Sequence, residues 1–180
     1  MKTVFLDRDG VINRLRPNDY VKNWKEFEFL PDAIDAICRL TDKEYQLIIV
    51  TNQACVNKGI LQAKKLDSIH EKMLDQIVMA GGKIDAIYYC PHEDKDNCFC
   101  RKPKSGLLEK ALVDFCVDST NRFLVGDSLR DIVAGQKVNC KTCLVGENVT
   151  NNQQNTKTVV PAQTASNLMA ATSWIIHNTK

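Results

Sequence analysis

The chain has 180 residues, 44% of them hydrophobic and 26% charged, with 24 Lys and Arg against 22 Asp and Glu. That length suits one domain (1–180) with a substantial core, and a net charge of +2 gives no strong case for a nucleic-acid or membrane partner. No stretch approaches the ~20 apolar residues of a membrane span. Met1-Lys2-Thr3 leads straight into an apolar run with no room for a signal peptide. The expectation is a cytoplasmic monomer with neither nucleic acid nor membrane as partner.

Val4-Phe5-Leu6 reads as a buried parallel strand that opens into Asp7-Arg8-Asp9-Gly10, two carboxylates at a strand's carboxyl end. Residues 14–29 lack steady periodicity and read as an excursion above that end, with Phe27 and Phe29 packing it. Pro31-Asp32 starts a helix that runs to about Thr41. Gln46 to Val50 is the second buried strand, ending in Thr51-Asn52-Gln53. A helix from about Gln62 to Ala80 follows, with Leu66, Ile69, Met73 and Ile77 apolar and His70 expected partly exposed; Gly81-Gly82 closes it. A third strand spans Ile84 to Tyr89, and a helix N-capped by Ser105 runs to about Val117. Arg122 to Val125 is the fourth strand, ending in Gly126-Asp127-Ser128-Leu129-Arg130-Asp131, and a short helix leads to a fifth strand, Lys141 to Val145. Residues 146–160, rich in Asn, Gln and Thr, read as a mobile loop before a last helix from about Thr164 to His177. Alternating strands and helices predict an α/β fold, a three-layer Rossmann-like parallel sheet with helices on both faces and no large cap domain.

Polar clusters thus stand at four strand ends, Asp7/Asp9, Thr51/Asn52, Arg101/Lys102 and Asp127/Asp131, and a parallel sheet brings such ends to one edge. The set suits phosphate-ester hydrolysis, which needs a nucleophile, an acid for the leaving oxygen and positive charge around the transferred group. Asp7 is the expected nucleophile and Asp9 the acid and base, its proton affinity raised by the neighbouring carboxylate. Thr51 and Lys102 would hold phosphoryl oxygens. Mg²⁺, a hard cation, would sit on Asp7 and Asp127 with the Asp9 backbone carbonyl. Asp131 could orient that metal site or cap the next helix.

Eight cysteines without a secretory signal do not suit a disulfide framework. Three of them form Cys90-x-His92-x₅-Cys98-x-Cys100, a closed four-ligand set suited to structural, tetrahedral Zn²⁺. Zinc would fix a loop over 90–100 that runs directly into Arg101-Lys102-Pro103.

Asp7-x-Asp9-Gly10, Thr51-Asn52, Lys102 and Gly126-Asp127-x-x-x-Asp131 resemble the four motifs of the haloacid dehalogenase superfamily of phosphatases, over residues 3 to about 146. The resemblance implies the roles just assigned and an aspartyl-phosphate intermediate. Within that superfamily the zinc-type loop is similar to those of the heptose 1,7-bisphosphate 7-phosphatases and the histidinol phosphatases. The whole pattern, through Ile87-Tyr88-Tyr89-Cys90-Pro91-His92, resembles the heptose group more closely. That implies a small phosphorylated sugar as substrate, met by Asn52, Gln53 and Arg101, and a place in ADP-heptose and lipopolysaccharide core synthesis. Histidinol-phosphate hydrolysis is the alternative activity, and a non-catalytic zinc-stabilised binding module the alternative class. Where the heptose group carries Ser-Gly after Thr-Asn-Gln, this chain has Ala54-Cys55, and Lys58 replaces an Arg, a change expected to face the substrate.

Overall fold

The computed structural model describes residues 2–118, 120–146 and 159–179. In chain order its elements are β1 (Thr3–Leu6), α1 (Ala33–Asp42), β2 (Gln46–Asn52), α2 (Ala63–Met79), β3 (Ala86–Cys90), α3 (Gly106–Asp114), β4 (Arg122–Gly126), α4 (Leu129–Lys137), β5 (Lys141–Val145), β6 (Gln163–Ala165) and α5 (Leu168–His177). The strands form one sheet in the order β3-β2-β1-β4-β5-β6, and every neighbouring pair is parallel.

The two-residue period of the strands divides the core. Val4, Leu6, Leu47, Ile49, Phe123 and Val125 share one apolar cluster with α1, α2 and α5. Phe5, Ile48, Val50 and Leu124 share the other with α3 and α4. Strands covered on both faces read as continuous apolar runs, which is why β1, β2 and β4 were visible without alternation. Each such fully buried side chain contributes about 1.5–3 kcal/mol, so the three central strands are the most strongly held part of the molecule.

Three boundaries differ from the sequence reading. The last helix begins at Leu168, and Gln163–Ala165 forms a sixth strand beside β5. Three residues carry too short a pattern to announce a strand; Asn167 then caps α5 by accepting from the Ala170 N–H. β3 is shifted to Ala86–Cys90, which brings Cys90 into the sheet opposite Asn52. α3 stops at Asp114, before a left-handed Cys116, and the Ser105 hydroxyl bonds the Glu109 carboxylate without capping backbone. The mobile-loop expectation for 146–160 falls on 147–158, which lie outside the described residues.

The excursion after β1 is held by an aromatic cluster. Trp24 stacks on Phe27 at 4.9 Å, and Phe29 meets Phe27 edge-on at 5.0 Å. An antiparallel bridge ties Asn13 to Phe29. Among the described residues no helix is long and apolar enough to cross a membrane, and no inserted cap domain interrupts the sheet.

Candidate active site

The sheet order reverses between β1 and β4, and ligands of open parallel sheets bind outside the strand ends at such a point. Asp7 and Asp127 stand on its two sides. The Asp7 N–H continues the ladder onto Val125 O at 3.0 Å, which fixes its backbone to β4. Asp7 Oδ1 accepts the Arg8 backbone N–H at 2.7 Å and lies 3.0 Å from Lys102 Nζ. A carboxylate so anchored is oriented toward the open end of the sheet.

Lys102 is 2% exposed, and its ammonium is fully engaged. Nζ donates to Val50 O at 2.8 Å and pairs with Asp7 and with Asp131 Oδ1 at 2.5 Å. Burial alone would lower its proton affinity, yet the Asp131 and Asp7 charges outweigh that and raise it. Lys102 thus anchors the proposed nucleophile, and a phosphoryl oxygen would have to share its donors. The lysine is positioned by Asn52, whose amide donates to Lys102 O and accepts from Lys102 N, both at 3.1 Å.

Asp131 caps the next helix, one of the two roles that the sequence left open, and stands beside the candidate metal site. Its Oδ2 accepts from the Ser128 N–H and hydroxyl in a capping box that starts α4. Its Oδ1 meets Lys102, and its carboxylate joins those of Asp7 and Asp127, with ligand atoms within 4.8 Å of one another. Burial together with the neighbouring carboxylates pushes Asp127 up to about 7. Burial likewise raises Asp7 to about 6, with Lys102 opposing and Asp131 and Asp9 adding to the rise. Three carboxylates face a single ammonium, and this surplus of buried negative charge fits a divalent cation.

Two glycines permit this convergence. Gly10 has φ +82°, and a Cβ there would lie 2.6 Å from Asp127 Cγ. A Cβ on Gly126 would lie 2.5 Å from Asp131 Cγ.

Asp9 does not behave as expected. Burial would raise its proton affinity, but the Arg8 charge and hydrogen bonds from Asn13, Arg8 and Gln53 more than offset that, and the net shift is downward. Arg8 Nη2 donates to both Asp9 oxygens at 2.9 and 2.8 Å, Asn13 Nδ2 to Oδ1 at 2.9 Å, and Gln53 Nε2 to Oδ2 at 2.7 Å. Neither Arg8 nor Asn13 stood out in the sequence.

A cavity of about 150 Å³ lies over this centre, lined by Asp7, Asp9, Thr51, Asn52 and Asp127 and walled by Leu15, Arg16, Asp19, Tyr20 and Val21. A groove of about 690 Å³ adjoins it past Gly10 and Asp127, toward Arg14, Pro17 and Asn167. Gln53, expected to meet substrate, is fully buried and ties Asp9 to Thr51 Oγ1. Arg101 donates to Asp94 at 2.8 Å and to His92 O at 3.1 Å. Ala54 and Cys55 are buried rather than substrate-facing. Lys58 is exposed, with its ammonium 5.5 Å from the ring centre of Tyr20, a residue of the cavity wall.

Cys90, Cys98, Cys100 and His92 Nδ1 converge with all ligand atoms within 4.8 Å. Cys100 Sγ lies 3.0 Å from Cys90 Sγ, 3.4 Å from Cys98 Sγ and 3.2 Å from His92 Nδ1. Tetrahedral Zn–S bonds of about 2.3 Å place sulfurs slightly further apart than this, so the donor set fits zinc after a small expansion.

A HAD-hydrolase-like family model matches residues 99–171. D-glycero-β-D-manno-heptose-1,7-bisphosphate 7-phosphatase of Neisseria meningitidis serogroup A is 41% identical over 145 residues, 81% of this chain and 77% of that protein. Its counterpart in Pseudomonas aeruginosa is 37% identical over 142 residues, 79% of each. The crystal structure of D,D-heptose 1,7-bisphosphate phosphatase from B. bronchiseptica, complexed with magnesium and phosphate, superposes with a TM-score of 0.92 at 33% identity, covering 99% of this chain and 100% of that one. With the strand-end carboxylates in place and these relatives matched along most of its length, the chain belongs to the HAD-like phosphatases, in the family of the heptose-1,7-bisphosphate 7-phosphatases.

Proposed function

We propose that the protein is a Mg²⁺-dependent phosphatase that removes the 7-phosphate of D-glycero-D-manno-heptose 1,7-bisphosphate, working in the cytoplasm in ADP-heptose synthesis. The observation that carries the chemistry is Asp7, fixed between the Arg8 N–H and Lys102 and facing Asp127 across the switch point. The substrate rests on the relatives, 41% and 37% identical, that bear that activity in their names.

In this reading an Asp7 oxygen attacks phosphorus as the ester P–O bond breaks, and the departing alkoxide takes its proton from Asp9. Water then attacks the aspartyl-phosphate, Asp9 accepts the water's proton, and the P–O bond to Asp7 breaks to release inorganic phosphate. Asp9 held low by Arg8 is ready as the base of the second step, whereas the first step requires it to have gained a proton. Mg²⁺, held by Asp7, Asp127 and the Asp9 backbone carbonyl, with Asp131 beside them, would offset repulsion between nucleophile and phosphate. Thr51 lines the cavity, and in this reading its hydroxyl meets a phosphoryl oxygen. Zn²⁺ would be held by Cys90, His92, Cys98 and Cys100, a four-donor set suited to a structural ion, and would fix the loop that delivers Lys102.

The test is phosphate release with Mg²⁺ from heptose 1,7-bisphosphate and histidinol phosphate in parallel, with Asp7→Asn as control. A large preference for the bisphosphate, abolished in the variant, supports the reading. Preference for histidinol phosphate overturns the substrate and keeps the mechanism.

A further inference from the structure

Arg8 is the largest fully buried side chain among the described residues, and His70, from the middle of α2, is 5% exposed. The sequence reading placed His70 partly in solvent. Instead its Nε2 lies 3.0 Å from Arg8 Nη1, and its ring meets Tyr89 edge-on at 6.0 Å. A guanidinium only donates, so Nε2 is the acceptor and the ring proton resides on Nδ1. Burial and the adjacent Arg8 charge depress the imidazole to about 3, which keeps it a neutral acceptor.

The planar fork of Arg8 thus has two fixed ends. Nη1 is held by His70, while Nη2 donates to both oxygens of Asp9 and reaches Gln53 Oε1 at 3.3 Å. Because a guanidinium is rigid, the direction of Nη1 dictates the direction of Nη2. We propose that His70 and Arg8 are positioning residues, a buried relay from α2 that aims the Asp9 carboxylate at the leaving-group oxygen. The proposal rests on the reading of Asp9 as acid and base, and it gives α2 a part in the reaction that no strand-end motif contains.

A general acid matters in proportion to how badly the leaving group needs a proton. An alkoxide needs one, and p-nitrophenolate leaves without it. Displacing a reacting group by about 1 Å can cost about 100-fold in rate. His70→Phe keeps ring volume and removes the acceptor, and His70→Gln restores an acceptor.

The experiment compares steady-state hydrolysis of heptose bisphosphate and of glycerol phosphate with the first-turnover burst of p-nitrophenol from p-nitrophenyl phosphate. For His70→Phe we expect kcat on the alkyl esters to fall about 10- to 100-fold with KM within about twofold, while the burst rate stays within about twofold. His70→Gln should recover most of the loss, and Arg8→Lys, which keeps charge and loses the fork, should reproduce the selective defect. Equal losses on both kinds of leaving group, or no loss on either, would overturn the proposal. If wild type ignores the heptose ester but hydrolyses glycerol phosphate, the substrate reading fails and the relay is still judged on that ester. If wild type hydrolyses no alkyl phosphate, both fall together.

Discussion

Gly10→Ala is the sharpest single test of how the metal-side carboxylates are held. The new methyl would stand 2.6 Å from Asp127 Cγ and closer still to its Oδ2, where ordinary contact begins at 3.4 Å, so the carboxylate must retreat by more than 0.8 Å. Alanine at φ +82° also carries left-handed strain of about 1–2 kcal/mol. Any such retreat moves the carboxylate relative to Asp7 and Asp131, with which it shares the candidate metal site. A displacement of this size in a group that aligns the reaction is expected to lower kcat/KM by about 100-fold. The Mg²⁺ concentration for half-maximal activity should rise at least about tenfold, since the cation would lose one well-placed charge. Mg²⁺ titrations of initial rate at saturating substrate, paired with thermal melts of both proteins, separate the two effects. A variant with activity within threefold of wild type and an unchanged Mg²⁺ midpoint would refute the argument, even if it melted earlier.

Lys102→Ala leaves Asp7 and Asp131 facing each other without their counter-ion, and in Mg²⁺-free buffer it should destabilise the protein by about 3–5 kcal/mol. Added Mg²⁺ should recover part of that, read as a larger thermal shift than wild type shows. Metal analysis should find about one zinc per chain. Cys100→Ser should lower zinc content, melting temperature and kcat together; full activity in a zinc-free protein would separate the loop from catalysis. His70 makes an acid-side signature. Its folded-state pKa lies near 3, against 6.5 for the free side chain, so below pH 6.5 the unfolded chain binds the extra proton. Stability from this group is present above pH 6.5 and drains as pH falls toward 3, by up to about 1.4 kcal/mol per pH unit. Denaturant melts should show that slope flattened in His70→Gln relative to wild type.

Much of the site was legible because its chemistry sits where apolar strands stop. Asp7, Thr51 and Asp127 follow uninterrupted runs, and a parallel sheet leaves only one edge for them to share. The cysteine loop was legible because three thiols and an imidazole fall within eleven residues. The relay behind Asp9 was not, since it depends on how α2 lies over β1. One sign was present: His70 is four residues after Leu66 and three before Met73, on the same helical face as the buried Leu66, Ile69, Met73 and Ile77. A polar residue on an apolar stripe needs a buried partner, and an arginine between two acids was the available one. The sixth strand escaped because three residues, two of them half-exposed, show no period at all.

The amide of Asn52 engages the Lys102 peptide on both its N–H and its carbonyl, as a neighbouring strand would. In effect β2 continues for one residue beyond its end, with a side chain in place of backbone. The consequence is kinetic. Lys102 lies in a turn outside the strands, yet its amide should exchange with solvent deuterium on the timescale of the central sheet, because releasing it requires opening the end of β2. The root of the loop should then open only together with the end of β2. A phosphatase built this way ties the lysine at the root of its cysteine loop to the stability of the sheet.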